Sequence, residues 1–225
     1  MNPLYKQLIR SSILGTLVML ALLFLCAGTL DYWQGWVYMA VFIIASATYS
    51  VYLAKHDPAL LKRRTEIGIS YEKELAQKII IFCLYVTSIV LIVLAPLDVR
   101  FGWSSVPWYA SIIGDAFVVF SFYIFYLVAK VNTYAAANIR VEQEQKVISA
   151  GLYGFVRHPM YFGAMFLFIG TPLALGSWWT LLLTPIFLSI LVARILNEEK
   201  ILSRDLPGYT EYQKKVTTRL IPFIW

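Results

Sequence analysis

Charged residues are scarce in this chain. Asp, Glu, Lys and Arg make up 14% of its 225 residues, whereas 60% are hydrophobic. Soluble globular domains carry about 25% charged residues, so this composition excludes the soluble class and predicts an integral membrane protein. The apolar runs are continuous and do not alternate with polar residues, which argues against membrane strands and predicts an all-α chain.

Motifs for metals, disulfides and nucleotide-binding folds are missing as well. The two cysteines, Cys26 and Cys83, lie inside apolar runs, and the sequence has no Cys-x-x-Cys pair or other metal-ligand spacing. No glycine-rich turn joins a strand to a helix, so a Rossmann-type cofactor site is excluded. The net charge of +6 does not indicate nucleic acid, because the basic residues fall in the loops between apolar runs. We therefore expect neither a metal nor a nucleic-acid partner.

Uncharged runs predict about six transmembrane helices. A hydrocarbon core about 30 Å thick takes roughly 20 residues of helix. The first four predicted spans are Ser11–Leu30, Tyr32–Ala54, Ile79–Leu97 and Phe101–Lys130. The run Pro159–Ala193 is too long for one crossing, so it must fold back as a helical hairpin. Gly170-Thr171-Pro172 and Gly176-Ser177 are the predicted breaks.

Two positions depart from this pattern of apolar spans and polar loops. Asp57-Pro58, in the polar stretch after the second span, is typical of a helix N-cap and first turn. Asp115 interrupts the fourth span, where a buried acid is costly. We expect Asp115 either to be functional, or to lie near the outer interface or hydrogen-bond a neighbouring Ser or Tyr.

The basic residues also predict the orientation. With six spans and a cytoplasmic N-terminus, Arg100 alone among 19 Lys and Arg residues falls outside, in agreement with the positive-inside rule. Both termini and the polar segments 55–78, 132–158 and 197–225 would then share the cytoplasmic face. We predict a multi-pass protein of a bacterial inner membrane or the endoplasmic reticulum. Residues 1–130 would form a four-helix membrane part and residues 131–225 the functional region.

Polar residues gather at the two ends of the predicted hairpin. Arg157 and His158 precede Pro159, where the N–H groups of a helix start would suit an anion. Arg194 and Glu198 lie four residues apart at the other end and share one face if the helix continues. Because both ends of a hairpin lie on one side, these residues predict a single cytoplasmic site for a zwitterionic ligand. The alternative is an ordinary basic flank with a surface ion pair.

Four stretches together resemble one enzyme family. They are Gly-Leu-Tyr-Gly-Phe-Val-Arg-His-Pro-Met-Tyr at 151–161, Arg-Ile-Leu-Asn-Glu-Glu-Lys-Ile-Leu at 194–202, Tyr-Thr-Glu-Tyr at 209–212 and Arg-Leu-Ile-Pro at 219–222. The set resembles the isoprenylcysteine carboxyl methyltransferases, and related phospholipid methyltransferases share much of it. The resemblance implies a membrane enzyme that uses S-adenosylmethionine and methylates a lipophilic or prenylated acceptor, most like carboxyl O-methylation of an isoprenylcysteine.

The resemblance also implies which residues form the site. Its cofactor-binding residues would be Asn138, Gln145, Lys146, Val147, Ile148, Tyr153, His158, Pro159, Met160, Tyr161 and Glu198. Arg194 matches the arginine beside the methyl acceptor, and with Glu198 it would be catalytic. A carboxylate acceptor would be held by Arg194, whereas an amine acceptor would give its proton to Glu198 or Glu199. Membrane lipids would be the other partners.

Three further functions are open on the sequence alone. The first is phospholipid N-methylation, because those enzymes share the pattern. The second is an NADPH-dependent membrane reductase, since sterol reductases carry a similar Arg-His-Pro-x-Tyr, although with Asn where this chain has Met160. The third is a non-enzymatic membrane protein such as a small transporter, which would spread polar residues through its spans. Here the polar residues collect on one face, apart from Asp115.

Overall fold

The structure, a computed structural model, describes residues 3–66, 68–72, 74–135, 138–139, 141–142 and 145–225. Parts of the predicted polar segments 55–78 and 132–158 lie outside these residues. The helices are α1 (Pro3–Ala27), α2 (Trp33–His56), α3 (Pro58–Thr65), α4 (Leu75–Phe101), α5 (Trp108–Ala129), α6 (Pro159–Ala174), α7 (Trp178–Leu181), α8 (Thr184–Asp205) and α9 (Tyr209–Lys215). Short 3₁₀ turns cover Ile69–Tyr71 and Gly151–Gly154. The described residues contain no strand, which confirms the all-α prediction for this part of the chain.

Among the described residues, five helical segments are long and apolar enough to cross a membrane. They are Tyr5–Ala27, Trp33–His56, Leu75–Phe101, Trp108–Ala129 and Trp178–Asp205. Helix α6 is apolar but has only 16 residues, about 24 Å of helix at 1.5 Å per residue. Against the predicted count of about six, the described residues give five candidate spans and one shorter apolar helix.

The hairpin turns at the second of the two predicted breaks. Helix α6 continues through Gly170 and Pro172 to Ala174, so the first predicted break is wrong, while Gly176 turns the chain with a φ of 76°. Gly170 is needed for packing, since a Cβ there would lie 2.6 Å from the carbonyl oxygen of Gly114 on α5. Ser177 then caps α7, its hydroxyl accepting a hydrogen bond from the N–H of Thr180 at 3.1 Å.

The chain forms two compact units, each assembled from separate stretches. The first unit contains Met1–Thr48, Tyr85–Phe120 and Phe166–Phe187, and the second contains Tyr49–Leu84, Ser121–Met165 and Leu188–Trp225. Several long helices, α2 among them, contribute residues to both. The predicted functional division near residue 130 follows the order of the chain and stays a prediction.

A buried carboxylate ties parts of the first unit together. Asp98, at the end of α4, is fully buried and accepts hydrogen bonds from the Ser104 N–H at 2.8 Å and the Ser104 hydroxyl at 2.6 Å. The Ser177 hydroxyl donates a further bond at 2.5 Å. Because each of these donors is neutral, the bonds stabilise the turn before α7 without an ion pair.

In the second unit, α3 begins as the sequence predicts. The Asp57 carboxylate accepts a hydrogen bond from the Leu60 N–H at 2.8 Å, and Pro58 occupies the first turn. The helix then presents two arginines to the polypeptide after α5. Arg63 forms a bidentate pair with Glu142, with N–O distances of 2.8 and 2.6 Å, and Arg64 donates to the carbonyl oxygen of Ala135 at 3.3 Å. These contacts hold the segment after α5 against α3.

Candidate active site

The second unit contains a polar cavity that is partly open to solvent. Residues from the segment after α5, the start of α6, α8 and α9 line it. All of the predicted site residues are among them: Asn138, Gln145, Lys146, Val147, Ile148, Tyr153, His158, Pro159, Met160, Tyr161, Arg194 and Glu198. The structure therefore brings the two predicted stretches of chain to one cavity, while the roles of these residues stay a prediction.

Three backbone N–H groups around the start of α6 form hydrogen bonds within the protein. The Arg157 N–H donates to the Thr218 carbonyl oxygen at 3.0 Å, and the His158 N–H donates to Arg219 at 2.9 Å. The Tyr161 N–H bonds the His158 carbonyl oxygen at 3.1 Å. The C-terminal tail and the first turn of the helix therefore occupy these three N–H groups, and the predicted anion site stays a prediction.

A buried ion cluster, here called the Glu199 clamp, fixes this part of the chain. The Glu199 carboxylate accepts hydrogen bonds from Arg157 Nε at 2.7 Å and Arg219 Nε at 2.9 Å, and His158 Nε2 lies 3.3 Å away. Arg157 also donates to the carbonyl oxygens of Val216 and Thr217, at 2.7 and 3.0 Å. The Arg157 guanidinium, predicted to bind a ligand anion, is thus engaged within the protein.

Glu198 faces the cavity and has fewer partners in the described structure. The Tyr161 hydroxyl donates to its Oε2 at 2.6 Å, and His158 Nδ1 lies 3.9 Å from the same oxygen. The Glu198 side chain is 22% exposed, against 7% for Glu199. Because a partly exposed carboxylate keeps lone pairs available, Glu198 is the glutamate of this pair that is suited to a ligand.

Arg194 is buried in a network that the sequence did not predict. Its Nη2 donates to Glu72 at 2.8 Å, its Nη1 donates to the Gln77 side-chain oxygen, and its Nε donates to the Tyr161 hydroxyl at 3.3 Å. Tyr161 therefore lies between Arg194 and Glu198, and the direct surface pair considered as the alternative is not what forms. Gln77 in turn donates to Asn197. Nothing in the sequence singles out Glu72, one acid among several in a polar loop.

Tyrosines build the remaining wall. The Tyr153 hydroxyl accepts a hydrogen bond from Asn132 at 2.7 Å, and the Tyr212 hydroxyl donates to the Tyr153 carbonyl oxygen at 2.7 Å. Burial raises the pKa of Tyr153, the largest of several causes, so it stays neutral. Tyr209 lines the same wall, and its hydroxyl is buried without a hydrogen-bond partner in the described structure.

Apolar candidate spans, together with a polar cavity lined by titratable side chains, indicate an integral membrane protein with a small-molecule site. Residues 109–207 match the family model described as phospholipid methyltransferase. The match covers less than half of the chain, and it confirms the predicted resemblance to the membrane methyltransferases that include the phospholipid and isoprenylcysteine carboxyl methyltransferases. No curated protein matches the chain. The matched region covers the start of α6 and Arg194 to Glu199, whereas Glu72, Gln77 and Tyr209 lie outside it.

Proposed function

We propose that the chain transfers a methyl group from S-adenosylmethionine to a lipophilic acceptor at the membrane interface. The observation that carries the proposal is the meeting of His158 and Tyr161, from the start of α6, with Glu198, from α8. The Glu198 carboxylate lies 2.6 Å from the Tyr161 hydroxyl and 3.9 Å from His158 Nδ1, and all three residues line one cavity. The family match supports methyl transfer over the reductase and the non-enzymatic alternatives.

The donor set fits the cofactor. S-adenosylmethionine carries an ammonium, ribose hydroxyls and an adenine amino group, all hydrogen-bond donors, together with one carboxylate. Glu198 and the Asn138 amide oxygen supply acceptors, Lys146 supplies a cation for the carboxylate, and Tyr153 offers an aromatic ring. These residues would hold the cofactor. When bound, it supplies a methyl group already activated by the positive sulfonium.

The remaining work of the protein is to orient the acceptor, exclude water and remove a proton. Glu199 is unsuited to the last task, because three donors surround its carboxylate. Glu198 has its one close donor in Tyr161 among the described residues and lies on the cavity wall. We assign Glu198 as the group that takes the proton from an acceptor nitrogen or thiol.

One observation favours the second candidate, N-methylation of an amine. The Arg194 guanidinium is paired with Glu72, both side chains being at most 2% exposed, so its charge is neutralised within the protein. With Glu198 added, these three side chains carry a net negative charge, and Lys146 in the same cavity would be paired with the cofactor carboxylate. The negative charge left for the acceptor would attract an amine and repel a carboxylate, which supports a phospholipid amine over an isoprenylcysteine carboxylate as acceptor.

Two measurements test the proposal. Calorimetric titration of the detergent-purified protein should show binding of S-adenosylhomocysteine and none of NADPH; the reverse result would establish the reductase alternative. Vesicles containing either an aminophospholipid or a prenylcysteine are then incubated with the protein and methyl-labelled S-adenosylmethionine. We expect label in the aminophospholipid, and Glu198→Ala should abolish it while the thermal unfolding midpoint stays near that of the wild type. Equal turnover by the variant would contradict the assignment of Glu198.

We also propose that α6 crosses the membrane together with the five candidate spans, so that both termini and the cavity lie on the cytoplasmic side. With this topology the basic residues follow the positive-inside rule. A water-soluble cofactor would then reach the site from the cytoplasm. A reporter that is active only in the cytoplasm should give signal when it is fused to either terminus. Absence of signal at both termini would contradict the proposed topology and support the opposite orientation.

A further inference from the structure

Eight buried side-chain oxygens in the described structure have no hydrogen-bond partner. They belong to Tyr49, Ser111, Asp115 with both oxygens, Ser121, Asn138, Thr184 and Tyr209. Among these residues, Asn138 and Tyr209 line the polar cavity. A buried polar atom without a partner is unfavourable, so one placed on a cavity wall indicates a bond that a ligand completes.

Tyr209 is held rigidly in this position. The residue is 4% exposed, and its ring lies 5.8 Å from that of Tyr212 in a cluster with Leu206. Burial raises its pKa, and the nearby carboxylates of Glu198 and Glu199 raise it further. The side chain is therefore a neutral phenol that is able to donate or accept a hydrogen bond. Its ring is packed by the protein, but its hydroxyl is not satisfied by it.

We propose that Tyr209 is a ligand-binding residue whose hydroxyl forms a hydrogen bond with the bound cofactor, beside the Asn138 amide oxygen. The inference rests on the proposed function, since it assigns the cavity to S-adenosylmethionine. Asn138 Oδ1 only accepts, so the ligand must present an N–H or O–H group to it. The amine and hydroxyl groups of an adenosyl amino acid meet this requirement. Tyr209 then adds a second, adjustable bond from α9, outside the region that matches the family.

The chain offers two matched controls for the substitution Tyr209→Phe. The Tyr49 hydroxyl is also buried and without a described partner, but Tyr49 does not line the cavity. The Tyr212 hydroxyl, in contrast, has a hydrogen-bond partner within the protein, because it donates to the Tyr153 carbonyl oxygen at 2.7 Å. Phenylalanine keeps the ring in all three variants, so each one removes only a hydroxyl group.

The experiment measures affinity for S-adenosylhomocysteine by calorimetry, and the unfolding midpoint of the ligand-free protein in the same detergent. Tyr209→Phe should bind about tenfold more weakly, with an unchanged or higher midpoint, because it loses a bond made only in the complex. Tyr49→Phe should leave the affinity unchanged, also with an unchanged or higher midpoint, because its buried hydroxyl likewise lacks a described partner. Tyr212→Phe should lower the midpoint, since it leaves the Tyr153 carbonyl oxygen unpaired.

Each outcome decides between the inferences. If the wild type binds S-adenosylhomocysteine and Tyr209→Phe binds equally well, the role of Tyr209 is refuted and the proposed function stands. If the wild type does not bind S-adenosylhomocysteine, the proposed function fails and the inference about Tyr209 fails with it. If Tyr49→Phe weakens binding as much as Tyr209→Phe, loss of the hydroxyl acts through the fold, and the proposed contact is also refuted.

Discussion

Glu198 and Glu199 are neighbours in sequence, yet they belong to regions of opposite character. Glu199 lies in the clamp, where two arginines and a histidine surround a carboxylate that is 7% exposed. Glu198 lies on the cavity wall, with the Tyr161 hydroxyl as its close described donor. Successive residues on an α-helix point about 100° apart, so α8 directs one carboxylate into the protein and the other toward the cavity.

The contrast distinguishes structural polar residues from ligand-binding ones. The clamp is satisfied within the protein, because the donors of Arg157 reach Glu199 and two carbonyl oxygens of the tail. The cavity wall is left incomplete, since Asn138 and Tyr209 each carry an oxygen without a described partner. A hydrogen-bond network in which every group has a partner fixes the chain in one arrangement. A network at a cavity that leaves groups without partners favours the binding of a ligand. Substitutions should therefore affect stability in the first region and binding in the second.

The largest effect should come from Glu199→Gln. Removing this charge leaves Arg157 buried and unneutralised, which for a buried pair typically costs roughly 3–5 kcal/mol of unfolding free energy. Chemical unfolding in mild detergent, followed by tryptophan fluorescence, measures the loss. Unfolding like that of the wild type would show that the Glu199 clamp contributes little to stability. The proposed difference between the clamp and the cavity wall would then be refuted.

Glu198→Gln is the matched change on the cavity wall, and its effect should appear in binding. The amide oxygen still accepts the Tyr161 hydrogen bond, so we expect the unfolding free energy to change by less than about 1 kcal/mol. Loss of the charge should weaken S-adenosylhomocysteine binding about tenfold or more, because bonds between charged groups are the stronger ones. Calorimetry on both glutamine variants tests the pair. If Glu198→Gln binds S-adenosylhomocysteine normally but unfolds easily, Glu198 is a structural residue and not a ligand-binding one.

Arg219→Ala should give a smaller effect within the clamp itself. The Arg219 side chain is 33% exposed, and it also covers the Trp225 ring at 5.2 Å. A partly exposed ion pair is screened by solvent, so we expect a loss of about 1 kcal/mol in unfolding free energy. Arg157→Ala provides the comparison, because Arg157 is only 5% exposed there and should cost more. Equal losses of unfolding free energy in the two variants would show that burial does not determine how much each arginine stabilises the protein.

The sequence predicted the features that local pattern determines. Continuous apolar runs indicated the long helices, and Asp57-Pro58 indicated the start of α3, because N-cap chemistry acts over three residues. The convergence of His158 and Glu198 was also predictable, since a hairpin brings its two ends to one side. These features need only the helix period, turn chemistry and the length of an apolar run.

The features that failed depend on tertiary contacts. Gly170 reads as a break in sequence but allows α6 to approach Gly114 closely. The N–H groups of Arg157 and His158 bond a tail about 60 residues away, which no local pattern indicates. Glu72, just before α4, and Gln77, in its first turn, bind Arg194 from a stretch with no motif. Partners distant in sequence are not specified by local propensity, so they become visible only in the folded chain.

The smallest effect should come from Asp115→Asn, which extends the contrast beyond the cavity. Asp115 is 6% exposed in the first unit, and neither of its oxygens has a described partner, so the expected bond to a Ser or Tyr is not formed. Asp115 also does not line the cavity. An unpaired charge in an apolar segment is costly, and a neutral isostere of the same shape removes that cost. We expect the variant to unfold within about 1 kcal/mol of the wild type and to transfer methyl groups at the wild-type rate. Loss of methyl transfer in a folded Asp115→Asn protein would instead show that Asp115 is functional. A buried polar side chain without a hydrogen-bond partner would then indicate a functional residue outside the cavity as well.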